Sequence, residues 1–140
     1  MLQSLYERVV ITDAVYVELD PCRDNTLASV SAAISQGWLT RVTVSITDRE
    51  LVEMLDPGEA SSILYSLDHN RIPLLIDERR GKRIAKARGI PVIGTAGVLV
   101  KSKQANLIPL VKPLLIDMQA KGYWLSDPFI RMVAAMVGEE

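Results

Sequence analysis

Residues 56–97 read DPGEASSILYSLDHNRIPLLIDERRGKRIAKARGIPVIGTAG, and they alternate helix with strand. Asp56-Pro57-Gly58-Glu59 opens a helix, with Asp56 at the N-cap, Pro57 at the first helical position and Glu59 three residues after the cap. Ala60, Ile63, Leu64 and Leu67 then make a one-sided apolar stripe. Asn70 supplies a left-handed stop. Pro73-Leu74-Leu75-Ile76 is a short continuous apolar run, of the kind a strand covered on both faces shows, and it ends on Asp77. A second helix closes at Gly89. Another short strand, Pro91-Val92-Ile93, leads through Gly94-Thr95-Ala96-Gly97 into a third helix. In open parallel sheets, ligands bind outside the carboxyl ends of strands. Asp77 and the Gly94-Thr95 turn stand at such ends, and Glu59 stands at a helix N-terminus, where an anion is favoured.

The pattern extends in both directions. Residues 1–8 read as part of a helix carrying Leu2, Leu5 and Tyr6, and Val9-Val10-Ile11 as a buried strand. Thr12 caps a helix with Ala14, Val15, Val17 and Leu19, which stops by Asp20-Pro21, so that Glu18 lies late in it. Cys22 to Asn25 is loop. Thr26 caps a helix with Leu27, Val30 and Ile34, ended by Gly37. A β-rich run covers residues 39–45, and a short helix residues 48–55. After Gly97 a helix runs to about Gln104. A further one starts at Leu107-Ile108-Pro109, with Leu110, Leu114, Leu115 and Met118 inward and Gly122 as its stop. Tyr123-Trp124-Leu125 is extended, and Ser126 caps a last helix carrying Ile130 and Val133. Strands alternating with helices predict an α/β fold whose mostly parallel sheet is covered on both faces.

A chain of 140 residues forms one domain with a real core, residues 1–140. Its net charge of −1 does not announce a nucleic-acid partner, which would need a local basic patch. A single cysteine, Cys22, excludes an internal disulfide and a thiolate metal cluster. No signal peptide is visible, and the most apolar tract, residues 107–118, is broken by Lys112 and Asp117 and is too short to span a membrane. The expectation is a soluble cytoplasmic protein with no membrane partner.

Six segments carry a family resemblance. They are Leu55-Asp56-Pro57-Gly58-Glu59-Ala60, Leu75-Ile76-Asp77-Glu78, Arg83-Ile84-Ala85, Gly89-Ile90, Gly94-Thr95-Ala96-Gly97-Val98-Leu99 and Gly122-Tyr123-Trp124-Leu125-Ser126-Asp127. In order and at these intervals, across nearly the whole chain, they resemble the PIN-like, predicted nucleic-acid-binding proteins of bacteria and archaea. The resemblance implies a PIN-like three-layer α/β fold and kinship with toxin ribonucleases that use a divalent metal, Mg²⁺ or Mn²⁺. It maps the metal-binding and catalytic acids onto Glu18, Glu59 and Asp77. It also implies RNA and an antitoxin protein as partners.

Members of that family begin with one more strand, central in the sheet and ending on an acidic residue or an amide, ahead of the helix that residues 1–8 resemble. By that comparison the chain is N-terminally truncated. The strands at residues 9–11 and 74–76 each lose a neighbour, and unpartnered buried backbone groups cost about 1–3 kcal/mol each. The expectation is a homo-oligomer that repairs the sheet edge between chains. The first acidic position has no counterpart, which leaves three carboxylates for a metal that favours clustered oxygen ligands.

Each candidate has a plainer reading. Glu59 closes a capping box with Asp56; Glu18 is a surface helix residue; Asp77 is the N-cap of the helix after it. Arg79, Lys82, Arg83 and Lys86 share one helix face, which is either a phosphate-backbone contact or an ordinary solvated face. Gly94 to Gly97 either cradles a phosphate or starts a helix with Thr95 as cap. His69 sits near a helix C-terminus, where the dipole favours it. The leading expectation is a metal-dependent ribonuclease of toxin–antitoxin type. The alternative is a non-catalytic, degenerate PIN-like module acting through oligomerisation or partner binding, and a third is a phosphate or nucleotide binder at Gly94–Gly97.

Overall fold

Four consecutive β-branched residues, Val9-Val10-Ile11-Thr12, have side chains that fit a pleated strand better than a helix. In a computed structural model, which describes residues 1–19 and 25–140, they form one. The backbone divides into two compact units. One comprises residues 1–5 and 94–140 and includes the helical turn α1 (Leu2–Leu5). The other, residues 6–93, holds the strands.

In the strand-bearing unit, β1 (Val9–Thr12) runs into α2 (Asp13–Tyr16), and the Thr12 hydroxyl accepts the Val15 N–H as its cap. The helix ends earlier than the apolar positions suggested, so Glu18 falls in the turn beyond it. The expected stop at Asp20-Pro21, and Cys22 with it, lies outside the described residues. α3 (Thr26–Gln36) follows, with Asn25 rather than Thr26 at the N-cap position and Gly37 at φ 87° as its left-handed stop. β2 (Leu39–Val42) pairs parallel with β1, Val9 opposite Leu39 and Thr12 opposite Val42. α4 (Arg49–Met54) is capped by Asp48, and α5 (Pro57–Asp68) by Asp56. Asn70 and Arg71, at φ 59° and 53°, turn the chain out of α5. β3 (Leu74–Leu75), α6 (Arg79–Ala87) and β4 (Val92–Ile93) complete the unit, with β3 and β4 parallel.

Leu51, Leu55, Ala60, Ile63, Leu74, Ile76, Ile84, Ala85 and Ile90 form this unit's core. They come from α4, α5, β3, α6 and the segments that flank them. α5 packs against β1 and against β3. Its buried Ser61 hydroxyl meets the Thr12 hydroxyl at 2.8 Å and donates to the Gly58 carbonyl at 3.0 Å, tying the end of β1 to the first turn of α5. One expectation fails here. Leu74 and Ile76 are buried, but Leu75 between them is 46 % exposed, so β3 is covered on one face only. Among the described residues the strands pair two by two, β1 with β2 and β3 with β4.

In the other unit, α7 (Thr95–Gln104), α8 (Lys112–Ala120) and α9 (Asp127–Met136) enclose Leu99, Val111, Leu115, Ile130 and Val133. α8 starts later than Leu107, and its inward set is Val111 and Leu115, with Met118 partly buried; Leu110 and Leu114 face water. A stretch this rich in apolar residues leaves its helical phase undecided until packing selects a face. Ser126 caps α9 by accepting the Phe129 N–H at 3.2 Å. Tyr123 and Trp124 are exposed. The Glu139 carboxylate is buried at the start of α8, where it accepts the Val111 and Lys112 N–H groups, each at 2.8 Å, and the Lys103 ammonium at 2.7 Å.

Candidate functional site

Pro57 at the first helical position and Asp56 before it set the first turn of α5. Asp56 Oδ1 accepts the Glu59 N–H at 2.9 Å, and the Glu59 carboxylate accepts the Asp56 N–H in return. The capping box read from the sequence is therefore present, and it fixes where the Glu59 carboxylate stands. Gly58, between them, has no side chain, and the Glu18 carboxylate takes that space. A β-carbon on Gly58 would run into Glu18 Oε1 and stand 3.0 Å from its Cδ. The Gly58 N–H donates to Glu18. Glycine in a helix costs about 1 kcal/mol against alanine, and here it makes room for an acid from a different part of the chain.

Glu18 and Glu59 thus converge on the N-terminal turn of α5. Burial is the largest cause that pushes both above the ordinary glutamate range. The Asp56 charge acts in the same direction on both, and Glu59 also feels Glu78 and Glu18. The N–H groups of Gly58 and Asp56 oppose the rise without cancelling it. The balance is that of acids held close together, each making its neighbour's ionisation harder.

Asp77 is exposed just after β3, at the carboxyl end where the sequence placed it. It is not the cap of α6. Glu78 takes that role, its Oε2 accepting the Gly81 N–H at 2.8 Å, and the Arg80 and Arg83 charges help hold Glu78 below the usual glutamate range. From this loop it is the Glu78 charge that bears on Glu59. The Glu59 Cδ also lies 3.5 Å from where a β-carbon of Gly81 would stand, so the first turns of α5 and α6 meet at this carboxylate. Sequence reasoning missed Gly58 and Gly81 as the residues that make space, and Glu78 as a contributor to the field. The signal was available in two glycines placed in the first turn of helices, where glycine has no propensity to offer.

The other candidates resolve locally. The His69 ring stacks on Tyr65 with centroids 3.8 Å apart, and its Nδ1 donates to the Tyr65 carbonyl at 2.7 Å. Gly94, not Thr95, occupies the N-cap position of α7.

A family model described as DUF3368: PIN domain matches residues 1–139. The chain belongs to this PIN-domain family. Nothing among curated proteins matches the chain, and nothing among solved structures does. The α/β architecture with short parallel strands is consistent with a PIN domain. Membership implies nuclease-type function and nucleic acid as the class of partner, and PIN domains are in general divalent-metal-dependent. Among the described residues no helix is long and apolar enough to cross a membrane.

The residues of this PIN domain can be tested against such a metal. Among those described, no three His, Cys, Asp or Glu side chains form a group that could hold an ion. A pair does converge, Glu18 with Glu59, and mutual repulsion at that pair is what a cation relieves. Mg²⁺ commonly takes one or two carboxylates and completes its shell with water and substrate phosphates. The pair fits that requirement.

Proposed function

We propose that this PIN domain is a metal-dependent ribonuclease of toxin–antitoxin type, one domain over residues 1–140, acting in the cytoplasm where its RNA and an antitoxin protein are found. Glu18 and Glu59 hold Mg²⁺ or Mn²⁺, and Asp77, which forms no three-acid group with them in this structure, is the third proposed ligand, from the loop after β3. The observation that carries the reading is the convergence of Glu18 and Glu59 over Gly58, with both carboxyls raised by burial and by neighbouring negative charge. Acids brought together with values raised by burial and by neighbouring charge mark a candidate functional site.

When bound, the ion would polarise a phosphate oxygen and acidify a water. The chain's own contribution is positioning. The Gly58 and Asp56 N–H groups orient the two carboxylates, and the Asp56–Glu59 capping box keeps Glu59 from rotating away. The α5 N-terminus favours negative charge at this spot, which opposes the rise that burial and neighbouring charge cause.

Mn²⁺ titration followed by electron paramagnetic resonance tests this. Wild-type protein is expected to bind Mn²⁺ saturably. Glu18→Gln, Glu59→Gln and Asp77→Asn are expected to weaken binding and to abolish cleavage of single-stranded RNA. Binding unchanged in all three variants would remove these residues from the site.

A second reading, a module that works through assembly, is favoured by Leu75. It is 46 % exposed on a strand that pairs only with β4 among the described residues. Exposed apolar strand edges recruit further strands. In this reading a second copy covers β3. Light scattering on a sizing column would then show a dimer for wild type and a monomer for Leu75→Lys. A monomeric wild type counts against it.

A further inference from the structure

α6 is sharply two-sided. Gly81, Ile84 and Ala85 are buried, and Arg79, Lys82, Arg83 and Lys86 recur at i, i+3, i+4 and i+7 on the opposite side. At about 100° per residue those four fall within an arc of about 100°. Arg79, Arg83 and Lys86 are exposed and Lys82 is half-buried. Five cations elsewhere are matched with acids, Arg41 to Asp13, Arg49 to Glu53, Arg88 to Asp48 and Glu50, Lys103 to Glu139 and Lys121 to Asp117, and those without such a partner among the described residues, Arg8, Arg71, Arg80, Lys112 and Arg131, form no comparable row on one helix face. None of the four cations on α6 has a carboxylate within ion-pair distance among the described residues. Glu78 is near enough to feel Arg83, but its carboxylate is spent on the Gly81 N–H. In a chain of net charge −1, this is a concentrated and uncompensated row.

We infer that this row is a binding rail for the sugar–phosphate backbone of single-stranded RNA. It rests on the proposed function only for the choice of RNA as the polyanion. The row repeats once per helical turn, about 5.4 Å, over a length of about 10 Å. That suits the evenly spaced charges of one strand, and a single row offers nothing for the second strand of a duplex. A protein partner fits it poorly. Protein interfaces have apolar, aromatic-rich centres depleted in lysine, whereas this face carries only cations and Ala87. No aromatic side chain lies in the row to read or stack bases, so recognition is of the backbone and independent of sequence.

Fluorescence anisotropy with a labelled 20-nucleotide oligouridylate, in EDTA and with KCl from 25 to 250 mM, tests the rail. Each phosphate contact contributes about −0.7 to the slope of log affinity against log salt for a single strand. Four contacts give about −2.8, which is roughly a 50-fold loss between 50 and 200 mM salt. The variant R79Q/K82Q/R83Q/K86Q is expected to lose that much slope. Its fold is checked by circular dichroism, and glutamine matches lysine and arginine in helix propensity. The control R49Q/K121Q, two exposed cations on other helices, is expected to leave the slope unchanged. An unchanged slope in the quadruple variant overturns the inference, as does equal wild-type affinity for a duplex of the same length, or binding that follows base composition. An acidic peptide competing as well as RNA does so too. Because the measurement contains no metal, a wild type that fails to cleave RNA with Mn²⁺ but shows the slope loss refutes the nuclease proposal and leaves the rail standing.

Discussion

The Glu18 carboxylate lies over the α-carbon of Gly58 and accepts that residue's N–H. The turn after α2 and the start of a helix some forty residues later are thereby brought to one point. The consequences can be measured one by one.

Gly58→Ala is expected to separate site geometry from stability. The added methyl group would collide with Glu18 Oε1 and force that side chain aside. Alanine is the better helix former by about 1 kcal/mol, so the melting temperature should hold or rise. Mn²⁺ affinity should fall about 10- to 100-fold, the usual effect of disturbing groups that orient a ligand. A variant with unchanged Mn²⁺ affinity would show that the position of Glu18 is irrelevant to metal.

The raised values of Glu18 and Glu59 set a pH dependence. Folding favours their protonated forms, so their contribution to stability is fully present below the ordinary glutamate value of 4.5 and is lost as pH rises through the folded values. Glu59→Gln keeps the capping box, since glutamine also accepts the Asp56 N–H, and removes the charge. It is expected to be more stable than wild type at pH 7 by about 0.5 kcal/mol, a magnitude appropriate to partly solvated charges, and no more stable at pH 4. Thermal melts across that range check the crossover. Mn²⁺ should raise the wild-type melting temperature more than that of the variant.

Glu139 behaves oppositely. Despite the cost of burial, the Lys103 ammonium and the Val111 and Lys112 N–H groups hold its carboxyl down to about 2. Its stabilising contribution is therefore present above 4.5 and lost as pH falls toward 2. Glu139→Ala leaves the Val111 and Lys112 N–H groups without their acceptor and the Lys103 ammonium with only the Val137 carbonyl, at a cost of about 2 kcal/mol. Urea unfolding at pH 7 and at pH 3 should show a large difference from wild type at the first and a smaller one at the second.

Thr12→Val probes the tie between β1 and α5. It removes the hydroxyl that caps α2 and meets Ser61 in the interior. The expected loss is about 1–2 kcal/mol by denaturant titration. Because α2 leads into Glu18, Mn²⁺ binding should weaken as well. Ser61→Ala, which cuts the same pair but spares the cap, should cost less and leave Mn²⁺ binding nearer to wild type.

Local chemistry was legible where neighbouring residues decide the outcome. Thr12, Asp48, Asp56 and Ser126 cap helices by accepting an N–H three residues on, and Gly37 takes the left-handed stop. Glu59 was legible both as a capping partner and, through the family motif, as a site acid; the structure keeps the first and sets it beside Glu18. Where two adjacent residues could each serve, sequence order did not choose. Glu78 caps α6 in place of Asp77, because the helix begins at Arg79 and leaves Glu78 at the cap position, where its carboxylate accepts the Gly81 N–H. Along α8, apolar residues at most positions allowed more than one inward face, and contact with α9 selected the one carrying Val111 and Leu115.

The order of residues by itself determined the family, the alternation of strand with helix, the caps and turns, and the row of cations on α6, because each depends on side chains a few positions apart. Only the tertiary structure decided that Glu18 and Glu59 share one spot, that Leu75 faces water and that Glu139 does not. Those outcomes depend on how distant segments pack, and the free energy that settles them belongs to contacts and solvent exclusion that no stretch of sequence contains alone.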